Sequence, residues 1–320
     1  MKKVLAVLLV LVMAVACFTG CGNNAQSDAE NWPSKTVTFI VPFAAGGSTD
    51  IIFRALADKL TEDLGQTFIV ENKEGGSGSL GLAEAAIAEP DGYTFSIGMG
   101  SNMCMVPNMS NTGYDAFDFT PVCQVTNTPV VLAVNKNLPV NNLEEFIEYA
   151  KNNNVTWSSS GANNTQQVVM TLLGDQEGFT TTPVPQDGAP AAIAACMGGH
   201  VDAAVAVATD FTSAYASKEV KFICVFDDQR VDFFPDVPCT KELGYDNLSY
   251  GVWYSLVGPL GLDEAIVNKL AEATKAAMES DYLVDAYAKM NVMTQYLSPE
   301  ELAAKIKDFD AVMDEVMANW

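Results

Sequence analysis

From Phe43 to Asp50 the chain reads Phe43, Ala44, Ala45, Gly46, Gly47, Ser48, Thr49, Asp50. Four of these residues carry little or no side chain, so a ligand can approach their backbone closely. The last three are all preferred helix N-cap types. A small-residue loop that opens a helix brings several unpaired N–H groups to one point, at the positive end of the helix dipole. Such a point holds an anion, a carboxylate or a phosphate. A tight strand-to-helix turn without a ligand has the same composition, so both readings stand on this segment alone.

The elements that must position the loop are legible on either side. Val37, Phe39, Ile40 and Val41 form an apolar strand closed by Pro42. Ile52, Leu56, Leu60 and Leu64 recur at helical spacing, and Gly65 stands where a C-cap glycine belongs. A second unit has the same design. Val155–Ser159 reads as a strand, Ser159, Ser160, Gly161, Asn163, Asn164 and Thr165 form a small polar loop, and a helix follows. Asn163, Asn164 or Thr165 is its expected cap. Asp187-Gly188-Ala189-Pro190 precedes a third helix, as the lining of a cleft or as a capped helix start. The strand Tyr93–Gly98 runs into Met99-Gly100-Ser101-Asn102, which makes Ser101 and Asn102 further candidates.

Elsewhere strand-like and helix-like segments alternate, the pattern of α/β domains with mainly parallel sheets. Phe68–Val70, Val130–Val134, Val201–Val207 and Val220–Phe226 read as strands; Leu80–Glu89, Asn141–Asn152 and Ala189–Met197 read as helices. Tyr250–Val257 is a β-rich run suited to crossing between domains, and Asp263–Trp320 reads as two or three helices with no strand. Ser298-Pro299-Glu300-Glu301 carries a capping-box pattern. The chain beyond the first thirty-odd residues exceeds one typical core, so two domains facing one cleft are expected.

Composition excludes several classes. The net charge is −23, two units more negative once Lys2 and Lys3 are removed with a leader. A body this acidic repels nucleic acid. His200 is the single histidine, which argues against a histidine zinc site and a serine–histidine triad. Gly76-Ser77-Gly78-Ser79-Leu80-Gly81 matches a dinucleotide spacing, but Glu71-Asn72-Lys73-Glu74 separates it from its strand and the acid expected at the next strand end is missing. Packing of a small-residue turn explains it better. Trp157, Trp253 and Tyr254 suit a pocket or a core equally. Five widely spaced cysteines after Cys21 read as buried small hydrophobes, with at most one disulfide. No metal or cofactor is expected. Asp50 or Asp187 would have to serve any enzyme reading.

Met1-Lys2-Lys3 and the apolar run Val4–Ala16 form a secretory leader, too short for a membrane span. Small residues before Cys21 and the polar stretch after it resemble a bacterial lipoprotein cleavage box. The expected organisation is a signal peptide over residues 1–20, a lipidated Cys21 with a tether to residue 31, and a body anchored only by lipid on the outer face of the cell membrane.

WPSKTVTFIVPFAAGGSTD, GQTFIVENKEGG, EPDGYTF and VPQDGAPAAIAACMGGHVDAA together resemble the substrate-binding receptors of tripartite tricarboxylate transporters, the Bug receptors, over essentially the whole mature chain. The resemblance implies an α/β, type II-like periplasmic-binding-protein fold whose lobes comprise residues 32–124 with 252–320, and residues 125–251. It implies a monomeric capture protein for a small carboxylate, working with membrane permease subunits. Phe43–Asp50 would be the first ligand loop, Ser159–Thr165 the second, with Gln186, Asp187, Gly188 and Asp210 as second-lobe contacts. A ligand sensor for a receptor kinase would look the same. Two departures matter: Gln186-Asp187 replaces the family's aromatic and basic or polar pair, and Gln166-Gln167-Val168 its histidine–leucine pair. An acid at Asp187 favours a ligand with an ammonium or hydroxyl beside its carboxylate, hence amino or hydroxy acids over tricarboxylates.

Overall fold

Apolar strands shielded by amphipathic helices build the molecule, and the order of both follows the sequence pattern. The computed structural model describes residues 31–232 and 234–317. The leader, Cys21 and the tether as far as residue 30 lie outside the described residues. The first elements are β1 (Val37–Val41), α1 (Ser48–Leu64), β2 (Phe68–Asn72), α2 (Ser79–Ala86) and β3 (Thr94–Gly98). A π-helical turn, Ser101–Met105, leads into the short α3 (Val106–Met109), and β4 (Phe119–Asn135) follows with 17 residues. Next come α4 (Leu143–Asn152), β5 (Val155–Ser158), α5 (Thr165–Glu177), β6 (Thr181–Pro183), α6 (Ala189–Met197), β7 (Ala203–Val207), α7 (Thr212–Ser217) and β8 (Val220–Phe226). The chain continues through β9 (Gly251–Pro259), α8 (Glu264–Met278), α9 (Asp281–Lys289), β10 (Thr294–Leu297) and α10 (Pro299–Met317).

The strands follow the order β2-β1-β3-β9-β4-β7-β5-β6, with β8 and β10 also paired to β4. Along β4 the partners change. Residues 119–129 pair with β9, and residues 130–135 with β7 and β8. The two halves of β4 therefore belong to two lobes of one curled sheet system. Alternation works as the pleat requires. Val130, Leu132 and Val134 enter one core with α4 and α5, while Val131 and Ala133 enter another with α6 and β7. Both faces of this half are covered, which is why its sequence is apolar without a break.

In the first lobe β1, β3, α1, α8 and α9 share a core containing Trp32, Phe39, Phe53, Phe95 and Leu270. A further cluster joins α10 (Ile306, Phe309, Met313) to Trp253 of β9 and Val168 of α5. Trp157 and Trp253 are fully buried and Tyr254 packs against the first-lobe core, so these aromatics serve packing. All five described cysteines are buried free thiols. Gly81 packs against Pro42 and Ile40, the close approach that its small size allows.

The sheets are mixed where mainly parallel ones are expected, because the long β4 pairs antiparallel with β7, β8 and β9. A second expectation fails as well. The C-terminal region contains a strand, β10, which pairs antiparallel with β4 at Thr126 and Gln124. Its sequence, Thr-Gln-Tyr-Leu, is half exposed and lacks the apolar run that marks a central strand. The capping box at Ser298 forms: the Ser298 N–H donates to Glu301 Oε2 at 2.8 Å and the Glu301 N–H to Ser298 Oγ at 3.3 Å.

Gly100 tests how tightly α10 seats on the loop after β3. A Cβ there would stand 2.7 Å from Phe309 Cζ, and Phe309 is buried against Trp253. Gly100→Ala should lower stability by about 1–3 kcal/mol in chemical denaturation, with partial recovery in the Gly100→Ala/Phe309→Leu double variant. An unaffected single variant contradicts this packing.

Candidate functional site

Strand direction decides which loops can meet. β1 runs parallel to β2 and β3, β3 antiparallel to β9, and β9 antiparallel to β4. The first-lobe strands therefore run the same way as β4, toward the second lobe. β7 is antiparallel to β4, and β5 and β6 are parallel to β7 along the chain of pairings, so these run back toward the first lobe. The register places the ends. Gly98 of β3 pairs with Ser255, which pairs with Gln124, while Val207 of β7 pairs with Val130. The C-terminal ends of β1 and β3 thus face those of β5, β6 and β7 across the junction at Pro129–Val130. Ligands of α/β sheets bind at such carboxyl ends.

The loop after β1 is exposed from Ala44 to Ser48 and clamped from beneath. Gly47, not one of the three polar candidates, is the N-cap of α1, and it provides no side-chain cap. Asp50 sits in the first turn, is 2% exposed, and folds back into the loop. Its carboxylate accepts from the Gly46 N–H at 2.9 Å, Arg54 Nε at 2.9 Å and Asn72 Nδ2 at 2.9 Å. Asn72 Nδ2 also donates to the Phe43 carbonyl at 3.0 Å. Burial pushes the Asp50 carboxyl up, but the bonds from Arg54, Gly46 and Asn72 and the Arg54 charge outweigh it. The net result lies below the ordinary carboxylate value. Among the described residues no acceptor meets the N–H groups of Ser48, Thr49 or Asp50. They are the orphan donors of the helix start.

The second loop repeats the device with different chemistry. Asn164 caps α5, its Oδ1 accepting from the Gln167 N–H at 3.1 Å. Ser159 Oγ donates to the Gly161 carbonyl at 2.7 Å and Asn164 Nδ2 to the same carbonyl at 3.0 Å. Gln167 Oε1 takes the Asn163 N–H. The N–H groups of Ser160, Gly161, Thr165 and Gln166 have no acceptor among the described residues. The turn after β6 is tied to this loop: the Gln186 N–H donates to the Ser159 carbonyl at 2.9 Å, and Gly188 adopts φ +96° ahead of α6. Asp187 is exposed on that turn, and Asp210 is exposed just beyond β7. Asp210 makes no hydrogen bond or ion pair among the described residues, and enclosure by protein pushes its carboxyl up.

The candidates thus form two sets, Phe43–Asp50 with Ser101 and Asn102 on one lobe, and Ser159–Thr165, Gln186–Gly188 and Asp210 on the other. Asn102 belongs to the scaffold: fully buried, it accepts from the Met99 N–H at 2.8 Å and donates to the Ile97 carbonyl at 3.3 Å. Arg54 and Asn72 were missed. Arg54 has a signal, four residues beyond Asp50 on one helix face; Asn72 arrives from a separate strand. His200 is exposed and away from both sets in the fold, at the turn between α6 and β7. A cavity of about 730 Å³ also borders the junction at Asn127 and Pro129, with Asp227, Arg230 and Lys305 around it. Its bases are engaged, Arg230 with Glu242 and Lys305 with Gln124. The facing loops, with their free donors, are the better anion site.

Two lobes joined by continuous strands, with helix-opening loops turned toward each other, define a periplasmic-type solute-binding protein. The chain belongs to the tripartite tricarboxylate transporter receptor family, whose model matches residues 52–317. A protein of Agrobacterium vitis from the TAR-I ttuE-ttuC' intergenic region is 31% identical over 286 residues, 87% of this chain and 82% of that one. A solved TctC solute-binding protein from Polaromonas is 30% identical with a TM-score of 0.85, covering 90% of this chain and 100% of that one. MatC of Rhodopseudomonas palustris, solved with bound malate, is 29% identical with a TM-score of 0.67, covering 89% and 99%.

The Asp50 clamp makes a pH-dependent contribution. Its folded pKa lies below the unfolded one, so the stabilisation is present above the ordinary carboxylate range and lost as pH falls through the folded value. Arg54 is half exposed, which screens its charge. Arg54→Met should cost about 1 kcal/mol at neutral pH, and the gap from the parent should close below about pH 4. Equal stability of the two proteins at neutral pH in denaturant titrations contradicts the clamp.

Proposed function

We propose that this protein captures a small organic carboxylate between its lobes and delivers it, in the closed form, to the membrane permease of a tripartite tricarboxylate-type transporter. The observation that carries this reading is the opposition of two sets of unpaired N–H groups across one junction. Carboxylate oxygens accept from such donors without a neutralising side chain. Backbone dipoles act locally, which lets an anion bind despite a body that is strongly acidic as a whole. The malate held by MatC is a carboxylate of the expected size class.

The proposed site comprises the loop Phe43–Asp50, through its backbone, with Ser101 beside it, and from the other lobe Ser159–Thr165, Gln186–Gly188 and Asp210. With lobes of residues 32–124 with 252–320, and 125–251, the swing of this reading falls where the chain passes between them. A ligand that bridges both loops binds the closed arrangement more tightly than the open one and shifts the population toward it. A permease can then distinguish loaded from empty protein by shape. Cys21, carrying lipid, would hold the protein at the outer face of the membrane beside that permease. In this reading the protein performs no chemistry on its cargo.

A thermal-shift panel of carboxylates, sugars and phosphate tests the reading, since a ligand at 100 times its Kd adds about 2.7 kcal/mol to stability. Carboxylates alone should raise Tm. Gly46 holds φ +80°, so Gly46→Val forces the loop out of shape at about 1–2 kcal/mol. Its affinity for any hit should fall at least 10-fold while unfolding in the absence of ligand stays cooperative. A hit that is turned over, or full affinity in Gly46→Val, contradicts the proposal.

A further inference from the structure

Beyond the backbone donors of its loops, a receptor for two or three carboxylates gains from side chains of positive charge. The cleft-facing loops offer none. The segments 42–48, 99–102, 159–165, 184–188 and 208–211 contain no lysine, arginine or histidine. The nearest bases of the first lobe are already engaged. Arg54 is held by Asp50 and Asn72, and Lys73 bridges Glu71 and Glu84. What the second lobe does offer is two acids. Asp187 is exposed on the turn after β6, and Asp210 is exposed at the C-terminal end of β7. Register fixes the position of Asp210. Val207 pairs with Val130 at the junction, and the chain continues from there as a 3-10 turn, Ala208–Phe211. Asp210 is therefore close to where the lobes meet, and it has no partner among the described residues.

Resting on the carboxylate reading above, we propose that Asp210, with Asp187 after β6 two strands away in the same sheet, selects ligands that carry an ammonium group beside their carboxylate, so that the cargo is an amino acid or a similar zwitterion. The backbone donors of the first loop take the carboxylate. The ammonium then faces Asp210 and supplies the counter-charge that these loops lack. A hydroxyl in its place gains a neutral hydrogen bond without the charge, which is the weaker of the two. A second carboxylate there meets an acid at short range in a partly desolvated site, where repulsion is poorly screened. Selection by repulsion complements selection by attraction.

Isothermal titration of matched series tests this directly: alanine, lactate and propionate; aspartate, malate and succinate; glutamate, 2-hydroxyglutarate and glutarate. In at least one series the amino member should bind 10-fold or more tightly than its hydroxy and unsubstituted partners. Asp210→Asn should abolish that preference, and Asp210→Glu should keep it. The ligand-free Tm of both variants reports that they fold. Tightest binding of hydroxy or unsubstituted acids by the parent, or an amino preference that survives in Asp210→Asn, overturns the proposal while leaving carboxylate capture standing. Binding of no carboxylate in any series overturns both.

Discussion

β4 is shared by two lobes, and that continuity constrains everything around it. A strand of 17 residues that changes partners at Pro129–Val130 ties two sheets into one frame. Because β1, β2 and β3 run with β4 while β5, β6 and β7 run against it, the carboxyl ends of both groups are turned toward the junction. No side chain needs to specify this. It follows from the hydrogen-bond pairing of β1, β3, β5, β6 and β7, together with β9 returning alongside β4. Any movement of the lobes relative to each other would bend β4 near Pro129–Val130, where its partners change, and would shear the cluster that joins Val168 of α5 to α10, as at a hinge between packed bodies.

On that frame the groups left free for an anion are backbone N–H donors. Each loop opens a helix and leaves donors unpaired, at α1 in one lobe and α5 in the other. Each is also braced by side chains that bond back to the loop. Asp50, Arg54 and Asn72 hold the first loop; Asn164, Gln167 and Ser159 hold the second. Bracing matters because a loop of small residues has little packing of its own and would lose considerable entropy on ordering around a ligand. Preorganised donors avoid that loss at the moment of binding.

Much of this was legible in the sequence, for identifiable reasons. α5 announces itself by its Asn164 cap, α1 by its apolar periodicity and Gly65, and α6 forms over the residues expected of it, Ala189–Met197. β10 was invisible because four half-exposed residues at a sheet edge carry no apolar signal. Asp50 looked like a helix cap by type and position. Its true role depends on Arg54 and on Asn72, which arrives from β2 and cannot be anticipated from local spacing. Gly46 and Gly47 are adjacent and identical in the sequence, yet only Gly46 has positive φ. Directional pairing of the strands, which brings Asp210 to the junction, is a property of topology alone.

The most direct test of the account is hydrogen exchange, followed by mass spectrometry, across a titration with a carboxylate that raises Tm. Unpaired amides exchange quickly, and those that bind a carboxylate or close over it are protected. The account predicts slowed exchange in peptides spanning Ser48–Asp50 and in peptides spanning Ser160–Gln166, with one shared concentration midpoint. Protection of only one loop, separate midpoints, or protection confined to the cavity bordered by Asp227 and Lys305 would contradict it.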